Sequence, residues 1–193
     1  MTTHKKHRSI LSKIQRPHRQ RDKSRSAPLR CLSPPEAIAG FYPENKPGKG
    51  GGVTICLTDG SCHWLPLTVP TLLNHLADEL LVNLRSLKNR LRSRLGVSYY
   101  LPLPLADSLV LVPVKTREAL VKGDGVHGYV NACCVVNSQV HPPAAGSFGE
   151  ENLPGVADAY LLLECGTPYP CLTSQKKVND RFYQAQMALD VMR

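Results

Sequence analysis

The sequence predicts an α+β fold in which small antiparallel β-sheets carry peripheral helices. Three features predict this class: two strand–turn–strand segments, a run of leucines at helical spacing after the first of them, and several short apolar strands in between. Short glycine-containing turns between apolar segments are typical of β-hairpins, whose strands are antiparallel. A disordered basic N-terminal arm is predicted to precede the folded part.

The first predicted hairpin is followed by a helical segment. The stretch VTICL (53–57) alternates apolar residues, runs into the turn TDGS and is followed by a second strand, CHWLPL. A helix is predicted from an N-cap near Thr71, and leucines recur every three or four residues up to Gly96, which favours a helix end. One long helix and two shorter helices broken near Val82–Asn83 both fit this pattern.

Further short strands are predicted in the second half of the chain. LVLV (109–112) predicts a buried strand that ends before Pro113, and VHGYVNACCVV (126–136) predicts another. The segment 141–155 is rich in proline and glycine and is predicted to be a loop.

An internal repeat relates the first hairpin to the end of the chain. AYLLLECGTPYPCL (159–172) repeats the strand–turn–strand pattern when its turn, Cys165–Gly166, is aligned with Asp59–Gly60. A helix is predicted after both copies, and Ser174 is expected to cap the second helix.

The formal net charge of +9 comes from the N-terminal arm. Residues 1–30 hold ten of the 24 lysines and arginines but one of the 15 acidic residues, which leaves 14 of each sign in the rest of the chain. A segment of this kind repels itself and is predicted to be disordered, and basic arms bind phosphate backbones. A solvated tail without a partner and an organelle transit peptide are the competing interpretations.

Domain boundaries follow from this composition. LSPPEAIAGFYPENKPGKGGG (32–52) is predicted to be a linker because of its proline and glycine content. Residues 1–51 are therefore assigned to the arm and linker. Residues 52–193 are assigned to a single α+β domain.

The cellular compartment is inferred from hydropathy and cysteine content. No apolar run reaches the roughly 18 residues that span a bilayer, and no apolar segment typical of a secretion signal follows the basic start. Seven cysteines, an odd number, favour a reducing compartment. We therefore expect a cytoplasmic protein without a membrane partner.

Glycines at 123, 125 and 128 form the spacing G-x-G-x-x-G, which dinucleotide-binding proteins use. That motif binds pyrophosphate at a helix N-terminus, whereas here the strand-like stretch YVNACCVV follows. The glycines therefore predict a flexible loop between strands. This loop is basic, with Lys115, Arg117 and Lys122 around Asp124.

No pattern in the sequence predicts a catalytic or metal site. The cysteines and histidines lack the C-x2-C and H-x3-H spacings of zinc sites, and no serine or cysteine has the neighbours of an activated nucleophile. We therefore expect no enzyme activity, no metal and no cofactor.

A basic helix face is the first candidate binding surface. Arg85, Lys88 and Arg92 lie on one face of the predicted helix, at a spacing suited to a row of phosphates. The competing interpretation is a solvated surface whose charges are balanced by Asp78 and Glu79.

The order of strands, turns and helix over residues 97–190 resembles the competence transcription factor family, the ComK-like proteins. LVLVPVKTR (109–117) resembles the family's proline-containing strand, and GYVNACCV (128–135) resembles its Gly-Trp-Ile strand, with tyrosine in place of the tryptophan and no histidine at the end. LLLECGTPYPCLTSQKKVNDRFYQA (161–185) resembles the family's final strand–turn–strand–helix. This ending is also similar to LytTR DNA-binding domains.

The resemblance implies a transcription regulator that binds AT-rich duplex DNA, largely through backbone and minor-groove contacts. Double-stranded DNA is therefore the predicted partner, and self-association is left open. The candidate DNA-binding residues are those that match the family's binding loops, together with the basic residues of the glycine loop and of the helix face: Lys115, Thr116, Arg117, Lys122, Thr173, Ser174, Gln175, Lys176, Lys177, Arg85, Lys88 and Arg92. A helix that begins with a serine and two lysines suits phosphate binding on chemical grounds as well.

Two other classes of function remain open at this point. The first is an RNA-binding or ribosome-associated protein that uses the basic arm. The second is an interaction module whose apolar helix, 71–95, pairs with a partner protein.

Overall fold

Six strands pair into one antiparallel sheet. They are β1 (Ile38–Lys46), β2 (Gly50–Leu57), β3 (Cys62–Leu65), β4 (Leu103–Ala106), β5 (Leu109–Lys115) and β6 (His127–Asn131). Their order across the sheet is β3-β2-β1-β6-β5-β4, so β1 and β6 are the central strands. The computed structural model describes residues 34–141 and 159–192; the predicted basic arm and nearly all of the predicted loop 141–155 lie outside the described residues.

Three helices and a small second sheet complete the described fold. The helices are α1 (Val69–Glu79), α2 (Leu84–Leu95) and α3 (Gln175–Met192), and the second sheet is a hairpin of β7 (Tyr160–Leu162) and β8 (Pro168–Pro170). Single 3-10 turns precede β1 at Pro35–Ala37 and follow β6 at Ala132–Cys134. The predicted α+β class with antiparallel sheets and helices around them is confirmed.

Apolar side chains cover both faces of the six-stranded sheet. On one face, Tyr169 of the β7–β8 hairpin and Val178 of α3 are fully buried against Val130 and its neighbours. Successive residues of a strand point to opposite faces, and on the other face Phe41 stacks on Tyr129 with ring centroids 5.6 Å apart. The ends of the strands, the edge strand β3 and the outer faces of the helices remain exposed.

The linker predicted for residues 32–52 is wrong over most of its length. β1 occupies its centre and pairs with β2 along its length and with β6 at Gly40 and Phe41. Pro43 fits in this strand because it lies beyond the last β1 residue that pairs with β6, where the missing N–H leaves no ladder bond unmade. The glycines form the β1–β2 turn, with Gly48 at φ 72°.

The strands of the second half also differ from their predicted bounds. β5 continues through Pro113 to Lys115, because beyond Leu111 it pairs with β6 and no longer with β4. β6 is shorter than predicted and ends at Asn131, whose side-chain oxygen accepts a hydrogen bond from the N–H of Cys133 and turns the chain.

The helical segment is broken into two helices, the second of the two predicted arrangements. Thr68, not Thr71, caps α1, and its hydroxyl accepts from the N–H of Thr71. Leu81 has a φ of 56° between the helices, and Asn83 caps α2. Gly96 ends α2 in the left-handed conformation, as predicted.

The predicted strand–turn–strand–helix repeat is present in the fold. Both turn glycines have positive φ, 87° for Gly60 and 82° for Gly166. The two turns lie side by side, since the Thr167 hydroxyl approaches the carbonyl oxygen of Gly60 at 3.5 Å. The copies differ in their partners, because β2 and β3 belong to the large sheet and β7 and β8 form their own.

Candidate nucleic-acid interface

Connections between strands collect at two opposite ends of the six-stranded sheet. The β1–β2 turn and the β5–β6 connection lie at one end because β1 and β6 are antiparallel neighbours. This end, called the basic end below, comprises residues 44–51, 114–128 and 170–177. The opposite end, called the acidic end, comprises residues 35–37, 58–61, 106–108, 131–134 and 164–167.

Charge is divided unequally between these two ends. The basic end contains Lys46, Lys49, Lys115, Arg117, Lys122, Lys176 and Lys177, against the acids Glu44, Glu118 and Asp124. The acidic end contains Glu36, Asp59, Asp107 and Glu164, and its segments include no lysine or arginine. The described part of the chain therefore carries a dipolar charge distribution along the strands.

Two hydrogen bonds join two of the predicted DNA-binding loops at the basic end. The N–H of Lys115 donates to the hydroxyl of Thr173 over 2.8 Å, and the N–H of Leu172 donates to the carbonyl oxygen of Lys115 over 2.6 Å. Lys176 and Lys177, both exposed, follow directly at the start of α3. The fold thus brings together lysines that are about sixty residues apart in the chain.

The structure places Thr116 and Arg117 inside the β5–β6 connection. Thr116 is 3% exposed, and its hydroxyl donates to the carbonyl oxygen of Val126. Arg117 pairs with Asp124 and donates through Nε to the carbonyl oxygen of Gly125 over 3.0 Å. Both side chains are used to hold this connection in shape.

The other predicted residues of the two loops differ in their exposure and in the partners of their side chains. Lys122 is exposed, and the Lys115 ammonium lies 2.5 Å from the carboxylate of Glu118. Ser174 is exposed at the N-terminal boundary of α3, whereas the Gln175 side chain is fully engaged. Its amide donates to the carbonyl oxygen of Ser138 and to Asn179, and accepts from the N–H of Val140.

Among the described residues, the basic side chains of α2 form no ion pair with an acidic partner. Across residues 34–141 and 159–190, none of the five forms an ion pair, so Asp78 and Glu79 do not balance them: Arg85, Lys88, Arg90, Arg92 and Arg94. Arg92 donates to the Asn89 side chain at 3.1 Å.

Lys88 links α2 to the basic end. It lines a cavity of about 360 Å³ together with Leu84, Gly125 and His127. Of the predicted helix-face residues, Lys88 thus lies beside the glycine loop, while Arg85 and Arg92 extend the charge along the exposed helix.

The glycine loop is followed by a strand, β6, as its sequence predicts. Gly123 has a φ of 89°, which favours glycine at this turn. Gly128 lies within β6 and is buried beneath the Tyr169 hydroxyl. The third glycine of the pattern therefore serves packing.

Three residues in or next to the basic end were not predicted from the sequence. The Arg181 guanidinium lies 4.5 Å from the centroid of the Tyr100 ring and donates to the carbonyl oxygen of Pro113 over 2.7 Å. Tyr100 in turn packs on His127, with ring centroids 4.7 Å apart. Burial, followed by the nearby charges of Arg181 and Lys115, holds the pKa of His127 below its usual value. The sequence did contain one indication of Arg181: it lies four residues after Lys177 on α3, and residues at this spacing share a helix face.

The described residues carry neither a metal-binding cluster nor a helix suited to a membrane. In residues 34–141 and 159–190, no three His, Cys, Asp or Glu side chains are arranged to hold a metal ion. Over the same part of the chain, no helix combines the length and the apolar character needed to cross a bilayer.

Comparison of the chain with protein-family models, curated proteins and solved structures gave no match.

Proposed function

We propose that the protein is a cytoplasmic DNA-binding transcription regulator that meets AT-rich duplex DNA with its basic end. The observation that carries the proposal is the separation of charge between the two ends of the sheet, with the lysines of two loops joined at Lys115. The resemblance of residues 97–190 to the ComK-like family supports the choice of DNA as the nucleic acid.

The free cations of the basic end suit a phosphate backbone. Lys122, Lys176 and Lys177 are exposed and form no ion pair within the described parts of the chain. Lysines with this freedom bind phosphates by releasing condensed counterions. The acidic end would be repelled by the same DNA, so the charge distribution also orients the encounter.

Arg117 and Thr116 act as positioning residues in this proposal. Because Arg117 is paired with Asp124 and Thr116 is buried, their bonds fix the β5–β6 connection that presents Lys115 and Lys122. The direct contacts are assigned to the exposed lysines of the two loops, and Lys88 and Arg92 of α2 extend the surface.

Salt-titrated binding measurements with labelled AT-rich duplex, GC-rich duplex and structured RNA test the proposal. In a chain lacking residues 1–30, the triple variant Lys115→Ala, Lys176→Ala, Lys177→Ala should bind AT-rich duplex at least ~10-fold more weakly, and the slope of log affinity against log salt should fall by roughly 0.9 per lost phosphate contact. Removing the arm from the native chain should lower affinity and slope while the preference for AT-rich duplex remains, since phosphate contacts carry no direct sequence information.

Arg90→Ala with Arg94→Ala is the matched control on α2. It removes positive charge from the same molecule but away from the face formed by Arg85, Lys88 and Arg92. This control should change the salt slope less than the triple variant. The proposal fails if the chain without its arm binds no duplex, or if it prefers structured RNA.

A further inference from the structure

Two cysteines face each other across β2 and β3, next to the 58–61 turn of the acidic end. Cys56 and Cys62 are register partners, and their Sγ atoms are 2.9 Å apart. The next pair of opposing residues, Leu57 and Ser61, is a hydrogen-bonded pair, since the N–H of Leu57 donates to the carbonyl oxygen of Ser61. Cys56 and Cys62 therefore form a non-hydrogen-bonded pair, a class whose Cα atoms are about 4.5 Å apart. This separation lies within the range that a disulfide spans.

The two thiols differ in their access to solvent. Cys62 is exposed, whereas Cys56 is 1% exposed and belongs to the core beneath the β7–β8 hairpin. A dissolved oxidant can thus reach Cys62 first, and Cys56 is held against its sulfur by the pairing of the strands.

We propose that Cys62 and Cys56 form a redox-active dithiol, which a peroxide oxidises to a cross-strand disulfide. The site is separate from the basic end and is independent of the function proposed above.

The hydrogen bond between the sulfurs supports this division of roles. A hydrogen bond joins the two sulfurs, and once Cys62 is ionised the Cys56 thiol is the donor. This bond lowers the pKa of Cys62 against the opposing effects of burial and of the Asp59 and Glu44 charges. The same bond, followed by burial, raises the pKa of Cys56. Since the thiolate is the reactive form of cysteine, Cys62 is the nucleophile towards peroxide.

The reaction balances in two steps with hydrogen peroxide as the oxidant. The Cys62 thiolate attacks one peroxide oxygen, the O–O bond breaks, and sulfenic acid and hydroxide are formed. The Cys56 sulfur then attacks the Cys62 sulfur, the S–O bond breaks, and the oxygen leaves as water with the Cys56 proton. The hydroxide from the first step takes up the proton that Cys62 lost on ionisation and becomes the second water. In total, two thiols are oxidised to one disulfide and one hydrogen peroxide is reduced to two waters.

Cys165 provides a matched control at the same end. It is half-buried, and its sulfur lies 3.3 Å from the Thr167 hydroxyl in the β7–β8 turn, outside the strand pairing that joins Cys56 and Cys62. Its replacement removes a thiol near the site and leaves the proposed pair unchanged.

Treatment of the full chain with hydrogen peroxide, followed by thiol titration in denaturant and peptide mapping, tests the proposal. The wild-type chain should lose two of its seven thiols reversibly and yield one cross-linked pair of peptides containing Cys56 and Cys62. Cys165→Ser should form the same link, and Cys62→Ser should not. In Cys56→Ala, Cys62 should stop at a sulfenic acid that dimedone traps.

Either of two results in the wild-type chain would overturn the proposal. The first is a Cys62 that peroxide oxidises without forming the link to Cys56. The second is a link from Cys62 to Cys165. Because Cys56 is buried, the Cys56→Ala result counts only if the circular dichroism of this variant matches that of the wild type. The wild-type and Cys165→Ser results test the proposed disulfide without it.

Discussion

The hydroxyl of Tyr169 donates a 2.8 Å hydrogen bond to the carbonyl oxygen of Phe41, which joins the β7–β8 hairpin to the central strand of the large sheet. Tyr169 is fully buried, and its side chain lies against Gly40 of β1 and Gly128 of β6. A β-carbon at residue 40 would come 2.7 Å from Cε2 of the ring, and one at residue 128 would meet the hydroxyl. The two glycines thus make room for the tyrosine.

Replacement of Gly128 should therefore destabilise the fold more than replacement of a neighbouring glycine. Gly128→Ala places a methyl group against the Tyr169 hydroxyl and should lower the free energy of unfolding by about 1–3 kcal/mol. Gly125→Ala, where a β-carbon meets no atom within 4 Å, should change it by less than about 0.5 kcal/mol. Urea denaturation measures both. If Gly125→Ala is the more damaging variant, the packing explanation is wrong.

The ion pair of Arg117 with Asp124 should contribute more to stability than that of Lys115 with Glu118. The Arg117 and Asp124 side chains are 12% and 15% exposed, and Asp124 also accepts from the N–H of Leu120. Asp124→Asn removes the charge that balances a largely buried guanidinium and should cost about 1–3 kcal/mol.

Glu118→Gln is the control for that ion pair. The side chains of Lys115 and Glu118 are 33% and 60% exposed, so the loss of their pairing should cost under about 1 kcal/mol. Urea denaturation compares the two variants, and hydrogen exchange of residues 116–126 should speed up only in Asp124→Asn. Equal losses of stability would contradict the assignment of Arg117 to holding the loop.

Stability should depend on pH through His127. Burial first, and then the charges of Arg181 and Lys115, lower the pKa of this imidazole in the folded protein. Between that lowered pKa and the ordinary value near 6.5, the unfolded chain binds more protons, so the free energy of unfolding rises with pH in this window. Below the folded pKa the destabilisation is complete, and above about 6.5 it is absent.

Replacement of His127 should remove this part of the pH dependence. His127→Gln should flatten the rise in unfolding midpoint with pH below about pH 6.5. Thermal unfolding across this range provides the measurement. An unchanged slope in His127→Gln would show that other groups produce it.

The elements that the sequence predicted well depend on local chemistry. The hairpin turns at Asp59–Gly60 and Cys165–Gly166 and the helix end at Gly96 all require a residue with positive φ, which glycine supplies within the element itself. The helical spacing of the leucines likewise predicted two arrangements, one of which the structure has. The linker over residues 32–52 was mispredicted because its proline and glycine content hid a strand whose central place in the sheet comes from pairing with the distant β6 as well as with β2.

In the candidate site, too, the sequence identified single residues, whereas their arrangement depends on contacts between distant parts of the chain. The sequence singled out Lys115 and Lys176 separately, and the hydrogen bond of Lys115 with Thr173 is what brings their loops together. Thr116 and Arg117 were grouped with them by position, but their burial comes from contacts with Val126 and Asp124 after the chain has turned back. The sequence cannot show which polar side chains of a loop form hydrogen bonds or ion pairs within that loop and are therefore not free to bind a partner.

The sequence by itself determined the two hairpin turns at Gly60 and Gly166, the helix end at Gly96 and the basic residues, because each depends on a few consecutive side chains and on their conformational preferences. Tertiary structure alone decided that β1 is central and that charges separate between two ends. Asn131 illustrates the reason: its buried amide donates to the carbonyl oxygens of Ile38 and Ser108, the first of them 93 residues away, and it accepts from the N–H of Val110. A buried polar group requires partners of this kind, and only the folded chain brings them within reach.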